Sequence, residues 1–452
     1  PYYFNIAENM DFTFTPTNYS GRGIMFDGQF RHKSENSNTE IELTHMDKDD
    51  VKGESRHAYS MRDQRVFKNT LTAGDNGQWN GTLISSNINI GGISDLTYFD
   101  DFGNSVSRIG RTHITREIIL NRIDYRKFGY FNTSIKATDY QLVKTDLEEQ
   151  YSVLPQARIQ YSSYDKNNAL NYNFNGELSV FDHTYDHKAT GTRIMLYPSI
   201  EYPMRNIGWE LTPKLGVKHR TYNLSGNSDN KITDTTPILS LRGKMIFDKM
   251  KTNNILQTLE PEMFFLYVPA SNQDAIPIFD AGDNDLKYNL FSENRFYGED
   301  RLNDAKQLTV ALSSSIIDTA SGNELLRGTV GQIFYLDDRT VNLTNSETDT
   351  TNSSNMLGLV YARLSDYWKL SGYTEFNPHK GYGEKNQIRL SYKRPYGKQN
   401  QIFNSSYRFS RGTQEEVDFS TVIPFNSSSV SYTHLRAHET REDLVCRLLL
   451  EK

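Results

Sequence analysis

The chain has 452 residues, of which 36% are hydrophobic and 23% are charged, and its formal net charge is -6. This charge is too small to indicate a nucleic-acid partner, and the absence of any run of about 18 apolar residues excludes a transmembrane helix. The 28 Tyr and 24 Phe against 3 Trp, in an otherwise polar chain, fit a membrane-spanning β-barrel or a secreted β-rich binding protein.

The first predicted element is a β-hairpin over residues 11–31. Aromatic residues alternate with polar ones, a Ser20-Gly21 turn follows, and the alternation then resumes. Pro16 falls on the apolar parity of the first strand, where it has no N–H to donate to a sheet. We therefore expect this strand at a sheet edge or at a weakly paired seam.

Alternation of apolar and polar residues recurs in stretches of roughly 9 to 11 residues, the length of a tilted membrane crossing. It is clearest over residues 170–180, 209–220, 307–316 and 387–393. Short turns, such as 165–168 and 319–323, alternate with long polar connections near residues 48–63, 91–104, 138–155, 222–236, 269–305 and 337–355. Outer-membrane barrels separate short periplasmic turns from long external loops. The pattern therefore predicts an all-β protein, a large antiparallel transmembrane β-barrel of which about 20 strands are present.

The basic residues of the predicted strands lie on the polar parity. They are Arg158, Lys214, Arg242, Lys369 and Arg389. A Lys or Arg that faces lipid near the midplane costs roughly 2–4 kcal/mol. We therefore expect the polar parity to line the lumen and the apolar parity to contact lipid.

The connection at 269–305 carries charges of alternating sign. Over a short span it carries Arg295, Gly298, Asp300, Arg301 and Asp304. We expect a folded loop that caps or enters the lumen and is held by internal Arg–carboxylate pairs. Two alternatives remain open: a solvated external loop with weak surface ion pairs, and contact of Arg295 or Arg301 with lipid phosphate.

The sequence contains no recognisable motif for catalysis, metal binding or phosphate binding. Asp182-His183 and Asp186-His187 have a spacing that could bind a metal, but no third ligand accompanies them. No GxSxG elbow, phosphate-binding glycine loop, paired cysteines or HExxH motif occurs. We expect no metal site, no cofactor and no catalysis.

The end of the chain departs from the alternating pattern. From about Val430 the sequence has a faint helical period and resembles a translated sequencing adapter. We therefore expect a partial barrel over residues 1–429 and a non-native tail over 430–452. His434, His438 and Cys446 receive no functional role.

Four ordered motifs carry a resemblance to a known family. They are PYYFNIAENMDFTFTP from Pro1, YFDDF from Tyr98, the run from QTLEPEMFFLYVP at Gln257 to LFSENRFYGEDRLNDAKQ at Leu290, and VGQIFY from Val330. Together they resemble the LptD family of lipopolysaccharide (LPS)-assembly proteins over nearly all of residues 1–429.

The resemblance implies a translocon of the Gram-negative outer membrane that inserts LPS into the outer leaflet. The implied partners are LPS itself, outer-membrane lipids, an LptE-type lipoprotein plug and a periplasmic LPS-bridge protein. A lateral gate is implied where the first and last strands meet, and Pro1 and Pro16 match the family's two seam prolines. A porin or receptor-type barrel for other solutes and a soluble β-rich binding protein are the alternatives.

The sequence also departs from the family pattern. The N-terminal jellyroll, the paired cysteines and the last several strands have no counterpart. We therefore expect an incomplete barrel, with about 20 of the family's 26 strands.

Overall fold

The computed structural model describes residues 1–74, 79–102, 113–143, 148–163, 170–225, 231–343, 348–397, 399–426 and 429–439. The predicted turn at 165–168 and residues 440–452 of the predicted tail lie outside this part of the chain.

Most described residues belong to β-strands. The first fourteen are β1 (Tyr2–Ala7), β2 (Met10–Tyr19), β3 (Gly23–Lys33), β4 (Ser37–Met46), β5 (Arg56–Asn69), β6 (Thr72–Ala73), β7 (Trp79–Ile93), β8 (His113–Arg126), β9 (Gly129–Leu142), β10 (Ser152–Ser163), β11 (Asn171–Asp182), β12 (Gly191–Glu201), β13 (Met204–Asn206) and β14 (Trp209–Leu224). The remaining strands are β15 (Lys231–Met245), β16 (Phe247–Thr252), β17 (Ile255–Val268), β18 (Gly282–Asp283), β19 (Phe296–Tyr297), β20 (Ala305–Asp318), β21 (Asn323–Tyr335), β22 (Met356–Arg363), β23 (Trp368–Asn377), β24 (Tyr382–Tyr396), β25 (Gln399–Ser410), β26 (Gln414–Asn426) and β27 (Ser429–Glu439). Two short helices, α1 (Tyr98–Phe102) and α2 (Leu286–Asn289), lie in connections. No helix of the described residues is both long and apolar enough to cross a membrane.

The prediction of an all-β antiparallel fold is confirmed. Of the described strands, 25 belong to one sheet, and β18 and β19 pair separately. The predicted number of about 20 strands was too low, because short strands such as the two-residue β6 show no readable alternation. The predicted connections at 48–63 and 138–155 were too long, because the polar ends of β5 and β9 are paired strand.

The chain divides into two compact units. The first unit consists of Pro1–Glu201, Gly216–Pro237 and Gln273–Asp280. Its strands form a meander in which β1 to β5 and β7 to β12 each pair antiparallel with the next. One apolar cluster, which includes Met25, Met46, Tyr98 and Phe102, packs at the end of these strands that carries the long connections.

The second unit consists of Tyr202–Leu215, Ile238–Asn272 and Ala281–Lys452. Here β17 pairs with β20, and β20 to β27 follow as a meander. The faint helical period of the predicted tail does not appear in the backbone, because Ser429–Glu439 forms β27 and pairs with β26. That residues 430–452 are non-native stays a prediction.

Burial along the strands is the reverse of that in a soluble protein. In β11 of the first unit, Glu177 and Ser179 are 4% and 0% exposed, whereas Leu178 between them is 39% exposed. In β20 of the second unit, Thr309 is 0% exposed and the adjacent Val310 is 45% exposed. Half-buried soluble sheets bury their apolar face, whereas barrel strands in lipid expose it. The burial pattern therefore agrees with the predicted assignment of faces, and we call the side that carries the buried polar residues the polar face.

Candidate functional site

The first hairpin has an incompletely paired strand. Pairing of β1 with β2 extends from Ala7 opposite Met10 to Tyr2 opposite Phe14. Pairing of β2 with β3 continues to Tyr19. Residues 15–19 of β2 therefore pair with β3 but have no partner on β1 within the described residues.

Pro16 lies in this singly paired part of β2. Its partner on β3 is Phe26, and Pro16 itself is exposed. Pro1 immediately precedes β1 and is also exposed; extending the register by one residue places it opposite Thr15. In the sheet β2 lies between β1 and β3, so the placement of Pro16 at an edge or a weakly paired seam stays a prediction, as does a gating role for Pro1 and Pro16.

The turn between β2 and β3 is tied to an ionic cluster of the first unit. Arg22 of this turn donates hydrogen bonds of 2.7 Å to Asp49 Oδ2 and of 2.7 Å to Asp101 Oδ1. Arg56, at the start of β5, donates to the same two carboxylates and forms a 2.8 Å hydrogen bond with Asp95 Oδ2. The side chains of Arg56 and Asp49 are 1% and 0% exposed, whereas those of Arg22, Asp101 and Asp95 are 23%, 20% and 27% exposed. Lys52 also pairs with Asp95, so three basic and three acidic side chains balance one another around a buried Arg56–Asp49 pair.

The carboxylates of this cluster are held in their charged form. Burial raises the pKa of Asp95, but hydrogen bonds from Arg56 and Lys52 outweigh it, and the pKa lies well below its usual value. Burial raises the pKa of Asp101 too, but the hydrogen bond from Arg56 together with the charges of Arg56 and Arg22 lowers it below its usual value. Sequence reasoning missed the cluster. One feature of the sequence could have indicated it. In a meander every second connection lies at the same end of the sheet, and the connections at this end carry side chains of opposite charge.

The long connection between β17 and β20 contributes a segment to each unit. In the first unit, residues 273–280 pack on the polar face. The Phe279 ring stacks on Phe181 with a centroid distance of 4.3 Å, and Arg193 Nη1 donates a 2.7 Å hydrogen bond to Asp280 Oδ1. Arg193 Nη2 also donates to Glu177 at 2.6 Å. This segment is therefore held by an Arg–carboxylate pair between the connection and β12, whereas the pairs predicted from the sequence were internal to the loop.

In the second unit, residues 281–304 pack on the polar face of that unit. Lys385 of β24 donates a hydrogen bond to Asp285, and Lys214 of β14 lies 3.0 Å from Glu293. The hydrogen bond from Lys385 holds the pKa of Asp285 below its usual value, against a smaller opposing effect of burial. The sequence pattern predicted neither of these two lysine–carboxylate pairs.

Arg295 and Asp304, two of the loop residues named in the sequence analysis, form hydrogen bonds with residues 340–342. Arg295 Nη2 donates to Val341 O at 2.5 Å and to Asn342 Oδ1 at 2.7 Å. Asp304 accepts hydrogen bonds from the Thr340 amide at 2.7 Å and from the Thr340 hydroxyl at 2.8 Å. The prediction of a folded loop is supported, but these two side chains bind backbone and amide groups rather than each other.

The other three predicted residues lie nearby. Arg301 Nε donates to Asn342 O at 3.3 Å, and its Nη1 donates to Asp300 O at 3.2 Å. Asp300 is fully buried. Gly298 has a φ of 73°, a conformation that strongly favours glycine. That the loop caps a lumen stays a prediction.

The segment with Asp182-His183 and Asp186-His187, considered above as a metal site, makes contacts between aromatic rings. Its His183 ring lies 4.9 Å from the Tyr151 ring and 5.2 Å from the Tyr185 ring. Within the described ranges, no three His, Cys, Asp or Glu residues are grouped so as to hold a metal ion.

Antiparallel strands with exposed apolar and buried polar side chains define a protein of the membrane-spanning β class. A family model described as LPS transport system D, LptD, matches residues 54–429. The LPS-assembly protein LptD of Nitrosococcus oceani is 32% identical over 434 residues, which cover 94% of this chain and 56% of the relative. The protein of the same name from Aromatoleum aromaticum is 31% identical over 432 residues, or 94% of this chain and 52% of the relative.

The chain belongs to the LptD family. It spans about half the length of the curated relatives it matches. Among solved structures, the outer membrane protein opdK of Pseudomonas aeruginosa aligns over 95% of this chain and 96% of its own, with 9% identity and a TM-score of 0.26. A TM-score this low supports no conclusion about fold or function.

Proposed function

We propose that the chain is part of an outer-membrane translocon of a Gram-negative bacterium that inserts LPS into the outer leaflet. The polar face admits the sugar portion of the lipid, the exposed apolar face contacts the membrane, and the acyl chains leave sideways at the seam beside β1. No energy source within the chain is required, since a periplasmic bridge protein delivers the LPS. Transport and assembly, rather than catalysis, is the activity that the family description supports.

The observation that carries this proposal is the reversed burial of the strands. Buried Arg193 and Thr309 lie on the polar face, and Leu178 and Val310 are exposed on the other. A lipid with a large polar head and several acyl chains needs both surfaces at once. An LptE-type lipoprotein plug and the bridge protein are the proposed partners, and both come from the resemblance to the family.

A depletion experiment tests the proposal. Cells that lose the full-length protein should retain newly made LPS inside, and an enzyme restricted to the cell exterior should no longer modify it. Re-expression of the protein should restore modification. Normal LPS delivery together with reduced uptake of small solutes would contradict the proposal and favour the porin alternative.

A further inference from the structure

A cavity lies in the second unit between the polar face and residues 281–304. Its volume is about 340 Å³, within the range of small-molecule sites, about 300–1,000 Å³. The strands contribute Gln307, Tyr335, Glu375 and Lys385, and the loop contributes Asn289 and Arg295. Most pockets of this size are largely apolar, whereas polar and apolar surfaces line this cavity about equally, with Leu286 and Ile333 among the apolar contributors. Such a lining suits a ligand that has both polar groups and an apolar face.

Several polar atoms of the lining have unused hydrogen-bonding capacity. Asn289 is 7% exposed, and its Nδ2 donates to Asn284 O at 3.0 Å and to Arg295 O at 2.9 Å. Its Oδ1 accepts no hydrogen bond from the described residues, and Arg295 Nε likewise donates none to them. The amide of buried Gln307 also has no hydrogen bond within the described part of the chain. An unsatisfied buried polar group costs about 1–3 kcal/mol, so the site favours a ligand that both donates and accepts.

Two acidic and two basic side chains line the cavity. Asp283 and Glu375 carry negative charge, and Arg295 and Lys385 carry positive charge. Lys385 is already paired with Asp285, and Arg295 with groups of the 340–342 segment. Arg295 bonds neutral groups there and keeps its positive charge, but with Lys385 neutralised by Asp285 the two lining carboxylates outnumber this one cation. An anion would therefore enter a site of net negative charge, whereas a neutral ligand meets no such penalty.

We propose that this cavity is a binding subsite for a neutral sugar ring. Sugar hydroxyls donate and accept at once, so they can complete the hydrogen bonds of Asn289 Oδ1, Gln307 and Glu375. The Tyr335 ring supplies an aromatic wall of the cavity. The inference rests on the proposed function, because a translocated LPS would carry its sugars along the polar face. Beyond the proposed function, the inference specifies one place on the polar face of the second unit where a neutral sugar binds.

Saturation-transfer NMR on the full-length protein in detergent micelles tests the subsite, with D-glucose, D-galacturonate and inorganic phosphate as probes. Glucose should bind saturably and more tightly than either anion. Gln307→Leu should weaken glucose binding about tenfold, the loss expected for about one hydrogen bond. Thr309→Val is the matched control, because Thr309 lies on the same face of β20, is fully buried, and its hydroxyl has no hydrogen-bond partner among the described residues.

Folding of both variants is checked by the shift in gel mobility that a folded barrel shows on heating. If both variants are folded and bind glucose equally well, the subsite is overturned. Tighter binding of galacturonate or phosphate would also overturn it, as would binding of no probe, the result expected for a cavity that holds only water. Absence of sugar binding together with normal LPS delivery would overturn the subsite and leave the proposed function intact. Sugar binding without LPS delivery would support the subsite and contradict the function.

Discussion

Arg193 and Asp280 form a two-pronged ion pair on the polar face of the first unit. Nη1 of Arg193 lies 2.7 Å from Asp280 Oδ1, and Nη2 lies 2.6 Å from Asp280 Oδ2. Fork-to-fork pairs of this kind fix geometry as well as charge. The pair therefore fixes residues 273–280 on the sheet, although the two residues are 87 positions apart.

Replacing Arg193 by Met should be strongly destabilising. It leaves the Glu177 carboxylate, 2% exposed, without one of its two arginines, and removal of one partner of a buried pair costs about 3–5 kcal/mol. The free energy of unfolding in urea, measured in detergent, checks this.

Arg158→Met is the control. Arg158 contacts the same Glu177 at 2.7 Å but is 52% exposed, so its loss should cost only about 0–1 kcal/mol. Equal costs would argue against the buried anchor.

Replacing Pro16 by Val should slow LPS delivery. Valine supplies the N–H that the hairpin lacks, and one added hydrogen bond is worth about 0.5–1.5 kcal/mol. Export in the full-length protein should therefore fall about two- to tenfold, measured as the rate at which LPS becomes accessible outside. Pro261→Val, at a strand proline of β17 in the second unit, should leave the rate unchanged. An unaltered rate in the Pro16 variant would argue against the gate.

Replacing Arg22 by Ala should loosen the turn of the first hairpin. Arg22 bridges Asp49 and Asp101, and its loss leaves Asp49 buried with one fewer cation. Hydrogen exchange at the amides of residues 17–25 should accelerate about tenfold or more, as expected for charged hydrogen bonds. Arg31→Ala removes the exposed pair with Asp11 in the same hairpin and should have little effect. Similar acceleration in both variants would mean that the ionic cluster does not anchor the turn.

The 336–355 connection should lose stability in acid. Burial raises the pKa of Asp349, but hydrogen bonds from Arg339 and Thr351 lower it further, to about 2. A carboxyl with a depressed pKa stabilises the folded state above its unfolded pKa, about 3.9, and this contribution is lost as the pH falls through about 2. Pepsin cleavage within this connection should therefore increase between pH 4 and pH 2. In Asp349→Asn the cleavage should be high at both pH values, and a persistent pH dependence would exclude Asp349 as its source.

The sequence was sufficient to predict the strands and their faces. Stretches such as 170–180, which covers most of β11, and 307–316, within β20, alternate over about ten residues, and a one-residue shift would invert both faces. Loop boundaries were less predictable, because strand ends such as those of β5 carry polar residues on both sides. Edge placement of Pro16, inferred from its missing N–H, stays a prediction.

The side-chain clusters could not be predicted from the sequence. Arg22 and Asp101 are 79 residues apart, and their contact depends on how two connections fold above the strands. Nothing local in the sequence distinguishes Asp101 from a solvated aspartate. The five predicted loop residues were in the folded loop, but their partners at 340–342 come from a separate connection whose conformation the sequence pattern does not specify.

The most direct measurement compares two adjacent positions of β10 in the membrane-embedded full-length protein. Single cysteines replace Arg158 and Ile159 in a variant whose other cysteines are all Ser. Each cysteine is tested for reaction with a water-soluble thiol reagent, and each is separately labelled with a fluorophore that a lipid-attached nitroxide can quench. We expect the cysteine at 158 to react with the reagent and escape quenching, and a label at 159 to be quenched by lipid and resist the reagent. The opposite result, or equal behaviour at the two positions, would contradict the assignment of the polar face to water and the apolar face to lipid.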